Sequence, residues 1–393
     1  MLHIFNICVT LYCMKKLQIP LPNFRSKLTN LIFDLEHLRN RNLKGSTPPW
    51  LFFDLKDIMH QLESLTSARI EGNRTTIMSV VENVIDGSKE TEDESLKELM
   101  NINRAIKFIE ENVTSRNIDR AFISELHKIA VDGLISDGSK YPGAYRPNEV
   151  KILNSEHIPP LHTLVPELME ELIDFINAEK EPQFDLLTTA IVHHRFTAIH
   201  PFDNGNGRTV RLLTYAMLTK QHFIDDKGSR LLNPSAIFCM DRQLYYDMLA
   251  EADKGTDEGI FRWCEYVLNG IKTEIQKIDR LLDKNFAIEN IIAPALKLAL
   301  EKKQVNQTEY EILCIATTKP TFMVGDVKYL FGSNNSSRVA ASRMLSKLKQ
   351  ENFIMVHPNY KHKYVLRFSN NYLLRGVMQQ LDKFNFLPVR ADS

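Results

Sequence analysis

Along most of this chain, aliphatic residues return every three or four positions, the spacing that gathers them on one face of an α-helix. The runs at 28–42, 51–65 and 76–85 show it first. It resumes from 96 to 135, and again at about 161–178, 186–199, 208–220, 241–251 and 258–284. The expected fold is therefore mainly α. Between helices, the acidic DGSKETEDES (86–95) reads as an exposed loop. SDGSKYPGAYRPNEVKI (136–152) breaks the periodicity with glycines and prolines and closes on a Val-Lys-Ile strand signal, which predicts a small β-hairpin flap.

The character changes after about residue 290. Three short helical runs (309–316, 324–331 and 336–350) are followed by strand-like runs at 353–356 and 364–368, joined by HPNYKHK. Ser333, Asn334 and Asn335 are apt N-caps for the third helix. Three helices and a hairpin describe a winged helix. Between 309 and 378 ten basic residues stand against four acidic ones. In that fold the third helix would carry Arg338, Arg343 and Lys347 toward the major groove of DNA. Winged helices also serve as protein-binding or dimerising modules.

The chain as a whole carries no net field, with 49 basic and 49 acidic residues among 393. Global attraction to nucleic acid, membrane or acidic substrates is thus excluded, and any electrostatic signal must be local. Five thinly spread cysteines without a CxxC pair fit a reducing, cytoplasmic setting. The apolar start MLHIFNICVTLYCM lacks the basic segment and cleavage site of a signal peptide and is too short to span a bilayer. Met14 reads as an ordinary cytosolic start, with a packed N-terminal segment as the other reading. No membrane association is expected.

One segment resists explanation as packing: IHPFDNGNGRTVR (199–211), set between two helical runs. Glycines let a backbone approach a ligand closely, and a new helix presents unpaired amides to an anion. Arg208 and Arg211, three apart, share a helix face and can reach one phosphate chain. His200 stands beside them as a base. The adjacent His193 and His194 lie inside a helix and are expected to pack or hydrogen-bond rather than bind metal.

This segment resembles the Fic family signature, HPFx(D/E)GNGRxxR, at every fixed position but one. The resemblance implies a Fic-type helical bundle that transfers AMP from ATP, with magnesium or manganese, to a tyrosine, threonine or serine hydroxyl of a target protein. It implies that His200 takes the hydroxyl proton and that Phe202 packs the loop. It implies that Asn206 and the Gly205 and Gly207 amides hold phosphates, and that Arg208 and Arg211 neutralise them. The departure is Asn204, where the family carries an acidic metal ligand; an asparagine carbonyl can still ligate a hard cation, without charge.

Upstream, TSARIEGN (66–73) resembles the family's inhibitory motif, (S/T)xxxE(G/N), with Ser67, Glu71 and Gly72 in place. The resemblance implies that Glu71 pairs with Arg211 and keeps the enzyme autoinhibited. The stretch 140–152, with Gly143, Tyr145 and Arg146, resembles the target-docking hairpin. Tyr245 and Tyr246 are candidates to border the adenine, against the alternative that aromatics at helical spacing are core. The expected division is an N-terminal helical region with the inhibitory helix (1–100), a catalytic core (101–285) and a winged-helix domain (286–393). The alternative function is a DNA-binding transcriptional regulator whose pocket only senses nucleotide; a homodimer is compatible with either.

Overall fold

A computed structural model describes residues 16–40, 47–86, 92–152, 155–224 and 231–387. The apolar start with Cys8 and Cys13, and residues 87–91 of the acidic loop, fall outside them. The chain is mainly helical. The first region comprises α1 (Lys27–Asn40), α2 (Pro49–Ile70) and α3 (Ile77–Asp86). Then come α4 (Glu94–Asn112), α5 (Arg120–Val131), α6 (Val165–Asn177), α7 (Asp185–Ile199), α8 (Asn206–Lys220), α9 (Ser235–Cys239), α10 (Arg242–Asp253) and α11 (Asp257–Leu281).

Four of these helices start on short polar side chains that cap the first free amides. Asp93 accepts the Ser95 and Leu96 amides, Asp119 that of Phe122, Asp241 that of Leu244 and Thr256 that of Gly259. The centre is the antiparallel pair α7 and α8, whose apolar residues point all round rather than along a stripe, as buried helices do. Leu187, Ala190, Ile191, Phe196 and Ile199 on α7, and Val210, Leu213, Ala216 and Leu218 on α8, are buried. Each such large side chain contributes roughly 1.5–3 kcal/mol. α4 and α5 pack on α8, and α11 on α7, where the fully buried Trp263 donates its indole N–H to the Ala190 carbonyl at 2.6 Å.

After α11 a turn of π-helix (Ala287–Ile292) runs into α12 (Ala293–Glu301). Then follow α13 (Gln307–Thr318), α14 (Val324–Val327), α15 (Asn335–Gln350), β1 (Ile354–His357), β2 (Tyr360–Leu366) and α16 (Leu373–Lys383). Asn334 caps α15 through the Ser337 amide. The hairpin is antiparallel, Ile354 facing Leu366 and Val356 facing Tyr364, and Phe322 adds a bridge to Tyr364. Strand β2 begins earlier than the periodicity predicts, because His357 pairs with Tyr360 and closes the turn over Pro358 and Asn359. Helices α9, α12 and α16 were not expected. For α16 the signal existed: Leu373, Leu374, Val377, Met378 and Leu381 keep helical spacing and are buried.

The flap expectation is corrected. Residues 140–152 form turns and bends, with no strand. Pro142 and Pro147 have no amide proton to give a ladder. Other amides are engaged elsewhere: Lys140 N–H with Asp203, Gly143 N–H with the His127 ring, and Arg146 N–H with the Pro201 carbonyl.

Candidate active site

The site lies where α7 ends and α8 begins. His200 caps α7 in the left-handed region (φ 52°, ψ 60°), a conformation costing roughly 1–2 kcal/mol for a residue with a Cβ. Arg146 holds it there, its Nε donating to the His200 carbonyl (2.9 Å) and its other nitrogens to the Pro160 (2.5 Å) and Asn148 (3.0 Å) carbonyls. Burial, aided by Arg146 and His157, pushes the imidazole down to about 4 despite Glu71 and the Thr197 backbone. His200 is therefore neutral near pH 7, and its Nδ1 has no hydrogen-bond partner.

The turn from Pro201 to Gly205 is closed by Asn206, whose side chain accepts from the Phe202 amide and donates to the Phe202 carbonyl, both at 2.9 Å. Phe202 is fully buried and lies flat on His127, with centroids 3.7 Å apart. His127 in turn donates from Nε2 to the Asn204 carbonyl (3.0 Å) and accepts the Gly143 amide at Nδ1 (2.8 Å). Gly205 sits at φ 74°, and a Cβ there would press on Val131 and His127. It is the N-cap of α8 and brings no side chain, so the first amides of that helix remain uncapped. Uncapped amides and the positive end of the helix dipole make an anion cradle.

Two guanidinium groups stand in this positive end, each side chain 2% exposed. Arg211 donates from Nε to Ser67 Oγ (2.8 Å) and from Nη2 to the Ser67 carbonyl (3.0 Å) and Glu71 Oε1 (2.7 Å). Arg208 donates to the Asp137 carbonyl (2.5 Å) and lies 3.4 Å from Glu98, while its Nε and Nη1 form no hydrogen bond. Glu71, the C-cap of α2, reaches across to α8. A Cβ built on Gly207 would lie 2.2 Å from its Oε1, so only glycine admits the carboxylate. Burial raises the Glu71 carboxyl, but Arg211, with Arg208 and Arg242 behind it, outweighs burial and holds it below its ordinary value. Gly72 then turns the chain away at φ 100°.

Several expectations change here. The Asn206 side chain spends both of its polar atoms on clamping the loop at Phe202. Tyr245 is core: 3% exposed, with its hydroxyl on His193 Nε2 (2.9 Å). Tyr246 stays half-exposed beside Arg242. Arg146 is a buried strut and Tyr145 packs near Phe202 under Arg120, so neither offers a docking edge. The Asn204 amide donates to the Gly138 carbonyl (3.0 Å) and accepts the Gly205 amide (2.7 Å), while Asp203 holds Ser139 and the Lys140 amide. That donor set does not form a resident cation cage, and no group of three histidine, cysteine or acidic residues suited to a metal occurs among the described residues. His193 bonds Thr214 and Tyr245, and His194 bonds Asp253, as packing residues do. Lys347 is drawn to Glu309 and Glu351, whereas Arg338 and Arg343 remain exposed.

His127, Glu98 and the Asp137 carbonyl were not anticipated. Arg208 lies 71 positions from Asp137 and 110 from Glu98, and Asn204 lies 77 from His127, and no local pattern announces such pairs.

The profile of the Fic/DOC family matches residues 117–218. The protein adenylyltransferase Fic of Nematostella vectensis is 29% identical over 202 residues, covering 48% of this chain and 42% of that protein. A probable protein adenylyltransferase of Aquifex aeolicus is 31% identical over 119 residues, covering 30% of this chain and 33% of its own. The chain thus spans less than half the length of these relatives. Among solved structures, a Fic family protein from Desulfovibrio desulfuricans G20 superposes with a TM-score of 0.55 at 20% identity, over 89% of this chain and 98% of that one. Fic-1 from C. elegans does so at 0.51 and 20% identity, over 64% and 71%. The chain carries a Fic/DOC family domain at residues 117–218, organised around the loop that joins α7 to α8.

Proposed function

We propose that this chain is an autoinhibited protein adenylyltransferase. The observation that carries the proposal is the Glu71 carboxylate, 2.7 Å from Arg211 and closing over Gly207 at the uncapped start of α8. An anion already occupies the anion cradle. With Glu71 withdrawn, Arg211, Arg208 and the amides at Asn206 and Gly207 suit the phosphates of ATP. Magnesium or manganese arrives on those phosphates as part of the substrate.

His200, neutral and with an unpartnered ring nitrogen, takes the proton of a tyrosine, threonine or serine hydroxyl of the target protein. The hydroxyl oxygen bonds to the α-phosphorus, the α–β phosphoryl bond breaks, and pyrophosphate leaves with its electrons. Such catalysis is mostly positioning and charge stabilisation. We assign inhibition to 1–100, catalysis to 101–285 and a winged-helix module to 286–393. The free thiols of Cys239, Cys264 and Cys314 support a cytoplasmic setting. No helix among the described residues is long and apolar enough to cross a membrane.

A second reading, a DNA-binding regulator that senses nucleotide, is favoured by the exposed Arg338 and Arg343, which form no ion pair among the described residues. One experiment separates the two. A Glu71→Gly protein is incubated with ATP labelled on the α or the γ phosphate. Label on protein from α alone supports adenylylation; γ alone means phosphoryl transfer; neither leaves the sensing reading.

A further inference from the structure

Helix α2, which ends in the inhibitory Ser67 and Glu71, is held at its other end by the C-terminal module. At 22 residues it is a rod roughly 33 Å long. Near its start, Asp54 is 1% exposed and accepts the Phe368 amide (2.5 Å) and Ser369 Oγ (3.2 Å) while pairing with Arg367 Nε (2.5 Å). One turn on, Asp57 meets Arg367 (3.4 Å) and Ser369 (3.2 Å). The Trp50 ring meets Phe368 edge to face at 6.4 Å. These three partners, 367–369, follow directly on β2. Beyond Glu71, α3 is tied to the same module, where Glu82 pairs with Arg375 of α16 at 2.5 Å. The module therefore grips the chain on both sides of Glu71.

We propose that Asp54, Arg367 and Arg375 are positioning residues of the inhibitory contact, so that docking of the C-terminal module sets how firmly Glu71 occupies the cradle. The proposal rests on the inhibitory role assigned to Glu71. Its physical basis is that a buried carboxylate such as Asp54 is stable only with its partners in place. Losing Arg367 or Arg375 uncouples one end of the bracketed segment from the module. A ligand that favours the undocked module then shifts the population toward open cradles.

The test uses the full chain with Arg367→Ala, Arg375→Ala and the pair, beside Arg367→Lys and Arg375→Lys. Amide hydrogen exchange at residues 64–72 is expected to quicken about tenfold in the alanine variants and to return toward the parent in the lysine variants. Adenylylation should rise with the exchange rate, and should not rise further when the alanine variants are combined with Glu71→Gly. Unchanged exchange at 64–72 overturns the proposal, as does an equal gain on top of Glu71→Gly. Because a variant at the buried Asp54 pair can fail to fold, the half-exposed pair gives an independent arm. Arg375→Glu should quicken exchange, and adding Glu82→Arg should restore it; no change in that arm also overturns the proposal. If Glu71→Gly shows no transfer, the assigned activity fails while exchange still decides the coupling.

Discussion

Two pairs of arginines lie on two helices: Arg208 and Arg211 in the first two turns of α8, and on α15 Arg338 in the first turn and Arg343 at mid-helix. The first pair is buried among a carboxylate on α2, another on α4, a hydroxyl and two carbonyls. The second is exposed. A cation at a helix N-terminus opposes the dipole there, and out of water the opposition is unscreened. The buried pair is tolerable only with anions present, whereas the exposed pair is solvated at little cost. Buried cations at the positive end of a helix thus specify a negative partner, which Glu71 supplies in the closed state and a triphosphate supplies in the proposed open one.

The largest expected effect sharpens that contrast. In a Glu71→Gly background, His200→Ala should lower adenylyl transfer by about a thousandfold or more, measured with α-labelled ATP, at an unchanged melting temperature. Retention of full transfer removes His200 as the base. Next, Glu71→Gly alone should raise transfer roughly 10- to 100-fold over the parent, the range of a coupling of a few kcal/mol; an equal or lower rate breaks the lock.

A smaller effect concerns a second buried carboxylate on α2. Burial pushes Glu63 up from 4.5 to about 7, against the Ser235 hydroxyl and amide that it accepts and the more distant Arg211. The folded chain then keeps a proton that the unfolded chain loses, so this stabilisation is complete below pH 4.5 and is lost as pH rises through 7. Glu63→Gln should therefore stabilise the protein by about 2 kcal/mol at pH 8 and hardly at all at pH 5, read by denaturant titration. Equal effects at both pH values would count against a proton on Glu63. Smallest of all, Arg338→Ala and Arg343→Ala should leave transfer unchanged. If the module binds duplex DNA, each should also lower the salt-dependence slope by about one.

Much of the fold is legible in the sequence because helix periodicity and capping are set within a few residues. The predicted runs at 186–199 and 208–220 correspond to α7 and α8, and Asn334 caps α15 from within the predicted cluster. The motif loop is legible for the same reason, since a histidine, glycines and paired arginines have no packing use at that spacing. The rest was hidden. Nothing local distinguishes an asparagine that holds phosphate from one that clamps Phe202, or an exposed Arg146 from one whose guanidinium meets three carbonyls. Tyr245 and Tyr246 are neighbours, yet one is core and the other half-exposed, because only the packing of α10 on α7 and α11 decides which faces inward.

The amino-acid order alone determined a helical chain with an anion-seeking turn between two helices, since both depend on interactions within a few positions. Tertiary structure alone decided that Glu71 sits in that turn's cradle, that Asn204 and Asp203 are engaged by neighbouring loops, and that the C-terminal module grips the helix leading to Glu71. These hydrogen-bonded and ionic pairings join residues 63 to 315 positions apart, and electrostatic and hydrogen-bond energies depend on distance in space, which the sequence does not contain until the core has packed.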